Sequence, residues 1–324
     1  MKYLSWGEKL FFILKLPFRR QLEVYKKFGL YNRQKTREVS LFYTSPCLND
    51  CVFCKRKEGR WPGTGPIMRQ LDENRRLGIE KLNLVANEPL LHPDILAILD
   101  YARACGFKRF GALTSGELFA SWPLTKKLIA RGLETVSIPL YGLRREHDAA
   151  VRSPGSFKKV IAGLKNLERE KTAEVYIHSM VLRQNLGRFR DFLNFLDAGI
   201  KYPLAIVPLR PKDTALAYKD LMPSYTEIVK VLKGSGRNFI DYPLCILREL
   251  SPSVFRGISS CRTQKERIYY HTDKKHISKS TFFYSKLVPN PPLPACRACS
   301  VLSFCPGVLP EYARHYGASE FKPL

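Results

Sequence analysis

Acidic residues are scarce: 29 Asp and Glu stand against 54 Lys and Arg, a formal net charge of +25 in 324 residues. Such an imbalance predicts attraction to polyanions, whether nucleic acid, anionic lipid or phosphorylated substrates, and is silent on fold. No N-terminal stretch has the form of a secretory signal peptide. No segment is collagenous or of low complexity. Long hydrophobic runs are missing too. The apolar run Leu10 to Leu14, followed by Lys15, Pro17, Arg19 and Arg20, is far short of the ~20 residues that span a bilayer. Two readings of that arm stay open: an interfacial amphipathic helix touching a membrane, or a helix packed on the end of the fold. The nine cysteines would suit disulfides in a secreted chain, but they are clustered in the manner of metal ligands, which favours a reducing cytoplasm.

The chain is long enough for roughly two domains, and with 45% hydrophobic residues it can build a sizeable core. The first informative stretch is Phe42 to Arg60, FYTSPCLNDCVFCKRKEGR, in which Cys47, Cys51 and Cys54 are spaced C-x3-C-x2-C with Phe53 before the last. Thiolates are soft ligands for iron–sulfur clusters or zinc. A closed structural site uses four protein ligands, so three thiols with no fourth Cys or His nearby describe a centre left one ligand short. The preceding Glu38 to Tyr43 reads as a strand, which places the cysteines on the loop leaving its C-terminal end, where α/β barrels keep their active sites.

From Val39 to about Gly234, short apolar runs alternate with amphipathic stretches. Strands are expected at 81–85, 110–114, 135–140, 174–182 and 204–209, and helices at 95–105, 123–131, 156–170 and 186–196. Such alternation predicts βαβ units and a parallel sheet. Pro139 should end its strand, because proline cannot donate to a ladder. After Gly234 the periodicity breaks down and cysteines return: Cys245, Cys261, then Cys296, Cys299 and Cys305 spaced C-x2-C-x5-C. That is a second metal signature, open between zinc and an iron–sulfur cluster. Cys105, on a predicted helix, is expected to be a buried thiol. The stretch from Cys261 to Lys286 mixes Lys and Arg with aromatics, which suits either nucleic-acid binding or an antiparallel hairpin, the hairpin being the preferred reading.

The first cysteine motif resembles the signature of the radical S-adenosylmethionine (SAM) superfamily, and two further segments share the resemblance. Asn83 to Asp94, NLVANEPLLHPD, is similar to the family's Gly-Gly-Glu-Pro motif, with Ala86 and Asn87 in place of the glycines and Glu88-Pro89 retained. Thr114-Ser115-Gly116 resembles the Thr-Asn-Gly of relatives. The resemblance implies a partial (β/α)6 barrel of the TIM type over residues 39–234. A basic amphipathic arm, 1–38, would precede it and a small iron–sulfur extension of the SPASM/twitch type, 235–324, would follow. It implies a [4Fe-4S] cluster on Cys47, Cys51 and Cys54 whose open iron binds SAM, with Glu88 accepting from the SAM ammonium beside Pro89, Thr114 and Ser115. Arg152 would reach the SAM carboxylate or stand solvated in its loop, and Asn185 is a weaker candidate for the pocket. Where relatives carry a Ser and an Asp near the SAM ribose, Pro139 and Tyr141 stand instead. His147-Asp148 and the run Arg152 to Phe157 are also similar to family features, and His92 is expected to be structural.

One auxiliary [4Fe-4S] cluster is implied on Cys296, Cys299 and Cys305, its fourth ligand Cys245 or Cys261, with Cys245 preferred. The activity implied is reductive cleavage of SAM to a 5′-deoxyadenosyl radical that abstracts hydrogen from a small molecule, natural product or peptide. An electron donor such as flavodoxin or ferredoxin would serve it. The 46 residues before Cys47 are shorter than the usual leader-binding domain, which tilts the expectation to a small or anionic substrate, or a peptide delivered by a partner. Two alternatives are an RNA- or nucleotide-modifying radical SAM enzyme, prompted by the charge, and a zinc-stabilised, non-catalytic nucleic-acid-binding protein.

Overall fold

The computed structural model describes residues 38–43, 46–54, 60–76, 80–171, 173–210, 216–235, 237–252, 267–273, 276–282, 290, 292–302 and 305–324. The arm before residue 38, Cys261 and much of the basic aromatic stretch lie outside the described residues. The chain forms two compact units. One is Thr36–Met222 with Arg267–Phe282, and the other holds the described residues of 223–252 and 290–324.

In the first unit, six parallel strands follow one another in both sequence and space: β1 (Glu38–Tyr43), β2 (Lys81–Ala86), β3 (Arg109–Leu113), β4 (Leu133–Pro139), β5 (Glu174–Ser179) and β6 (Leu204–Ile206). The helices between them are α1 (Thr64–Arg76), α2 (Ile95–Ala104), α3 (Trp122–Ala130), α4 (Arg144–Val151), α5 (Ser156–Glu170), α6 (Arg183–Leu186) and α7 (Phe189–Gly199), with α8 (Tyr218–Leu221) after β6. Because right-handed crossovers always step in one direction here, they put the helices on a single face. This is an α/β fold with the sequential winding of a partial TIM-type barrel, whose other face is left for a site.

Burial alternates accordingly. In β4, Val136 and Ile138 are fully buried while Thr135, Ser137 and Pro139 are half-buried. A Cβ on Gly116 would meet Ile138 at 2.7 Å, and a Cβ on Gly163 of α5 would meet the Gly116 carbonyl at 2.6 Å, so the Ile138 side is the helix side. α5 supplies an apolar stripe at helical spacing, Val160, Leu164 and Leu167, with Gly163 allowing close approach. The strand does end at Pro139.

The two segments of the predicted hairpin, β8 (Arg267–Asp273) and β9 (His276–Phe282), pair antiparallel, and β8 adds parallel to the free edge of β1. The resemblance places this hairpin in the 235–324 extension. It belongs instead with the barrel unit, where it gives the β1 edge its hydrogen-bond partners. Where one helix was read at 186–196, the chain makes a turn, α6, and then α7. Cys105 is half-exposed rather than buried: it caps α2 and its thiol donates to Asp72 Oδ1 at 3.4 Å.

The second unit contains α9 (Tyr225–Leu232), β7 (Asn238–Phe239), α10 (Leu244–Leu250) and α11 (Pro310–Tyr316). Ser224 and Glu227 form a reciprocal capping box on α9. Tyr225, Tyr242, Tyr312 and Phe321 pack ring to ring, with centroids 4.3–5.8 Å apart.

Candidate active site

The strand ends dictate the site. The cysteine loop leaves β1 and is fastened to the C-terminus of α4 by two backbone hydrogen bonds. Asp50 N–H donates to Val151 O (3.1 Å) and Val52 N–H to Ala150 O (2.9 Å). Arg152, in the left-handed conformation that closes α4 (φ 51°), is exposed and pairs with Asp50 at 3.1 Å. Phe53 sets its ring edge-on to Tyr141, centroids 4.8 Å apart. Cys47 is exposed and Cys51 and Cys54 are half-buried, and the Cys47 thiol points at the Asn87 carbonyl 3.7 Å away, at the end of β2. The motif's first thiol and the Asn87-Glu88-Pro89 turn are thus neighbours across forty residues of sequence.

Glu88 is fully buried. Its carboxylate accepts from Thr114 Oγ1 (2.6 Å), Ser115 N–H (2.7 Å) and, more weakly, Leu90 N–H (3.4 Å). Burial raises its pKa against the lowering effect of these donors, so the carboxylate sits in a dry, oriented cradle. Pro89, also buried, opens the short helical turn Pro89–Leu91. Asn185 is buried in α6 and ties together the segments that follow β4 and β5. It donates to Tyr141 O (2.7 Å) and Met180 O (2.9 Å) and accepts from Leu182 N–H (2.8 Å). His92 donates from Nε2 to Pro62 O (3.1 Å) and accepts Asp94 N–H on Nδ1 (3.0 Å), a structural use of both nitrogens.

A buried polar chain through His147 and Ser156 supports this wall. Tyr141 N–H donates to His147 Nδ1 (3.2 Å), so the imidazole proton is on Nε2, facing Ser156 Oγ (3.1 Å). Ser156 Oγ donates to Glu117 Oε1 (2.8 Å), and Lys159 lies 3.3 Å from Glu117 Oε2. Burial pushes His147 down to about 4, keeping it neutral. Asp148 accepts from Gly155 N–H and Phe157 N–H, both at 2.8 Å, at the start of α5. The segment His147 to Phe157 carries both halves of this arrangement, but Glu117, 39 residues from Ser156, shows itself only in three dimensions.

The donor sets fit iron–sulfur chemistry. Partial desolvation in the loop, with the charges of Glu88 and Cys54, raises the Cys47 pKa, and burial with the charges of Cys47 and Cys54 pushes Cys51 up to about 12. A bound cation would reverse that preference and hold them as thiolates. In the second unit, Cys245, Cys296, Cys299 and Cys305 line one cavity with Pro243 and Phe321. Burial and the neighbouring Cys305 push Cys245 up to about 11. The Cys305 sulfur accepts from Leu244 N–H and Gly307 N–H, both at 3.4 Å. Among the described residues no three Cys, His, Asp or Glu side chains are gathered tightly enough to hold a single metal ion. A four-iron cluster takes its thiolates at separate corners, spaced more widely than the ligands of one zinc at about 2.3 Å.

Residues 41–196 match the family described as the radical SAM superfamily. Mycofactocin maturase MftC of Mycobacterium ulcerans (strain Agy99) is 31% identical over 197 residues, 57% of this chain and 51% of that protein. The GTP 3′,8-cyclase of Lactiplantibacillus plantarum is 24% identical over 226 residues, 66% of each chain. The chain spans about half the length of the maturases it matches. A solved structure of native anSMEcpe with bound AdoMet and Cp18Cys peptide shares the fold, with a TM-score of 0.52 at 15% identity over 61% of this chain and 59% of that one. The matched residues 41–196 include the Cys47–Cys54 loop and the Glu88 cradle and are similar to a radical SAM domain.

Proposed function

We propose that Cys47, Cys51 and Cys54 hold a [4Fe-4S] cluster, and that SAM lies between it and the cradle of Glu88, Thr114 and Ser115. The observation that carries this reading is the joining of the cysteine loop to the Glu88 turn through Cys47 and Asn87, with the buried carboxylate held by two strong donors. When bound, cluster and SAM together supply reductive cleavage to a 5′-deoxyadenosyl radical, which takes hydrogen from a substrate. The protein's share is orientation and exclusion of water. Glu88 is the fixed anionic acceptor for an ammonium group. Pro89 fixes the turn that presents it, Arg152 anchors the cysteine loop through Asp50, and Asn185 sets the carbonyl of Tyr141.

The C-terminal unit completes the proposal as an auxiliary iron–sulfur extension of the SPASM/twitch type. Its one [4Fe-4S] cluster is bound by Cys245, Cys296, Cys299 and Cys305, the four that line one cavity. The substrate is a peptide, natural product or small molecule, and an electron donor such as flavodoxin or ferredoxin supplies the reductant in the cytoplasm. The similarity to a GTP 3′,8-cyclase and the charge of +25 favour a second reading, a radical enzyme acting on nucleotides or RNA. The test is anaerobic incubation of the reconstituted protein with SAM and dithionite. Release of 5′-deoxyadenosine by the wild type, lost in Cys47→Ala/Cys51→Ala/Cys54→Ala, is the expected result. Zinc without iron in the purified protein would sink the reading.

A further inference from the structure

The helix-free face of the sheet carries a patch that none of the sites above uses. On β3, Phe110 and Ala112 are buried against the helices and Leu113 is 37% exposed. On β5, Val175, Ile177 and Ser179 are buried, leaving Tyr176 45% exposed and His178 half-buried. Register aligns Leu113 with Ser137 and Ser137 with Tyr176 in one row across β3, β4 and β5. His178 stands one pleat nearer the C-terminal ends, opposite Pro139. Its Nδ1 lies 3.1 Å from Ser137 Oγ, which fixes the ring across the two strands, while Nε2 has no partner among the described residues. Burial lowers its pKa to about 4, so the ring is a neutral hydrogen-bonding group at ordinary pH.

The charges on this face point to the kind of substrate. On β2 to β6 the cations of this face are Lys81 and Arg109, both at the N-terminal ends of their strands, and Arg109 is paired with Glu134. A phosphate-bearing substrate would need arginine or lysine along the floor to neutralise it. The exposed Leu113 and the ring of Tyr176, whose hydroxyl donates to Glu174 Oε2 at 3.4 Å, beside one oriented, neutral imidazole instead match the usual make-up of a small-molecule site: mostly apolar, with a few placed polar groups.

We propose that Leu113, Ser137, Tyr176 and His178 form the substrate floor of the barrel. The Ser137-held imidazole recognises an uncharged hydrogen-bonding group, an amide or hydroxyl, carried on an apolar or aromatic stem. This rests on the radical SAM reading and narrows its substrate class away from nucleotides. The test is carbethoxylation of His178 by diethyl pyrocarbonate in the reconstituted holoprotein, followed by peptide mass spectrometry, with SAM present or omitted. N-acetyl-phenylalaninamide and GTP are the probes. His178 should react with or without SAM, the amide should slow it by about tenfold at saturation, and GTP should leave it unchanged. Tyr176→Ala, with iron content and circular dichroism matching the wild type, should lose that protection. An unreactive His178, protection by SAM alone, or protection by GTP equal to that of the amide would each overturn the proposal. If the wild type releases no 5′-deoxyadenosine under reductant, the radical reading falls and takes this one with it. If the wild type cleaves SAM but the amide gives His178 no protection, the floor alone is overturned.

Discussion

At the residue scale, the two buried ionisable groups Glu88 and His147 hold the site by different means, one as an acceptor in a cradle of donors and the other as a neutral link. Glu88→Gln keeps the shape and, with its oxygen toward Ser115 N–H and its amide nitrogen donating to Thr114 Oγ1, removes the carboxylate charge. SAM affinity measured by equilibrium dialysis should fall roughly ten- to a hundredfold, the worth of one charge-assisted hydrogen bond. For His147 the linkage sign is fixed by its depressed pKa, about 4 folded against an ordinary 6.5. Between those values the unfolded chain binds a proton that the native one refuses, so stability is lost as pH falls from 6.5 towards 4. His147→Gln should flatten that part of a urea-denaturation series against pH. The contribution is at most about 3 kcal/mol for a shift of this size.

At the element scale, the cysteine loop takes its shape from α4, and the Thr114-Ser115 turn takes its place from α5. Gly163 is the contact that lets α5 sit against the Gly116 carbonyl, since a Cβ there would come within 2.6 Å of it. Gly163→Val should lower stability by about 1–3 kcal/mol through overpacking, and should weaken SAM binding as Ser115 N–H moves off Glu88. Thermal unfolding and dialysis on the same sample check both halves. Asp50→Ala should leave the three thiols in place but free the loop from Arg152, a half-exposed to exposed pair worth well under 1 kcal/mol to the fold. Its expected mark is a broadened EPR signal of the reduced cluster rather than a change in unfolding temperature.

At the scale of the whole molecule, two cysteine centres in two units predict an iron count. Mössbauer and iron analysis of the anaerobic wild type should give about eight irons per chain, falling to about four in Cys47→Ala/Cys51→Ala/Cys54→Ala. Cys245→Ser should also lose about four, while Cys261→Ser should lose none; the reverse pattern would exchange their roles. The surplus of 25 positive charges belongs to this scale too. Binding to bulk tRNA that weakens steeply with salt would mark a general polyanion surface, and no binding would leave the charge without a nucleic-acid role.

The local periodicities determined a good deal unaided. Apolar runs such as 81–85 and 135–140 marked strands, and the amphipathic pattern of 156–170 marked the helix α5, because burial on one face imposes spacing of 2 or 3.6 on the chain. The three-cysteine loop stood out by its spacing, and Glu88-Pro89 by its resemblance to a family motif. What the chain could not show by itself is which distant groups share a hydrogen bond: Cys47 with Asn87, Arg152 with Asp50, Ser156 with Glu117, Ser137 with His178. Nor could it show that β8 completes the edge of β1, two strands more than two hundred residues apart. Those pairings follow from strand register and from the need of buried polar groups for partners, and both are properties of the folded sheet.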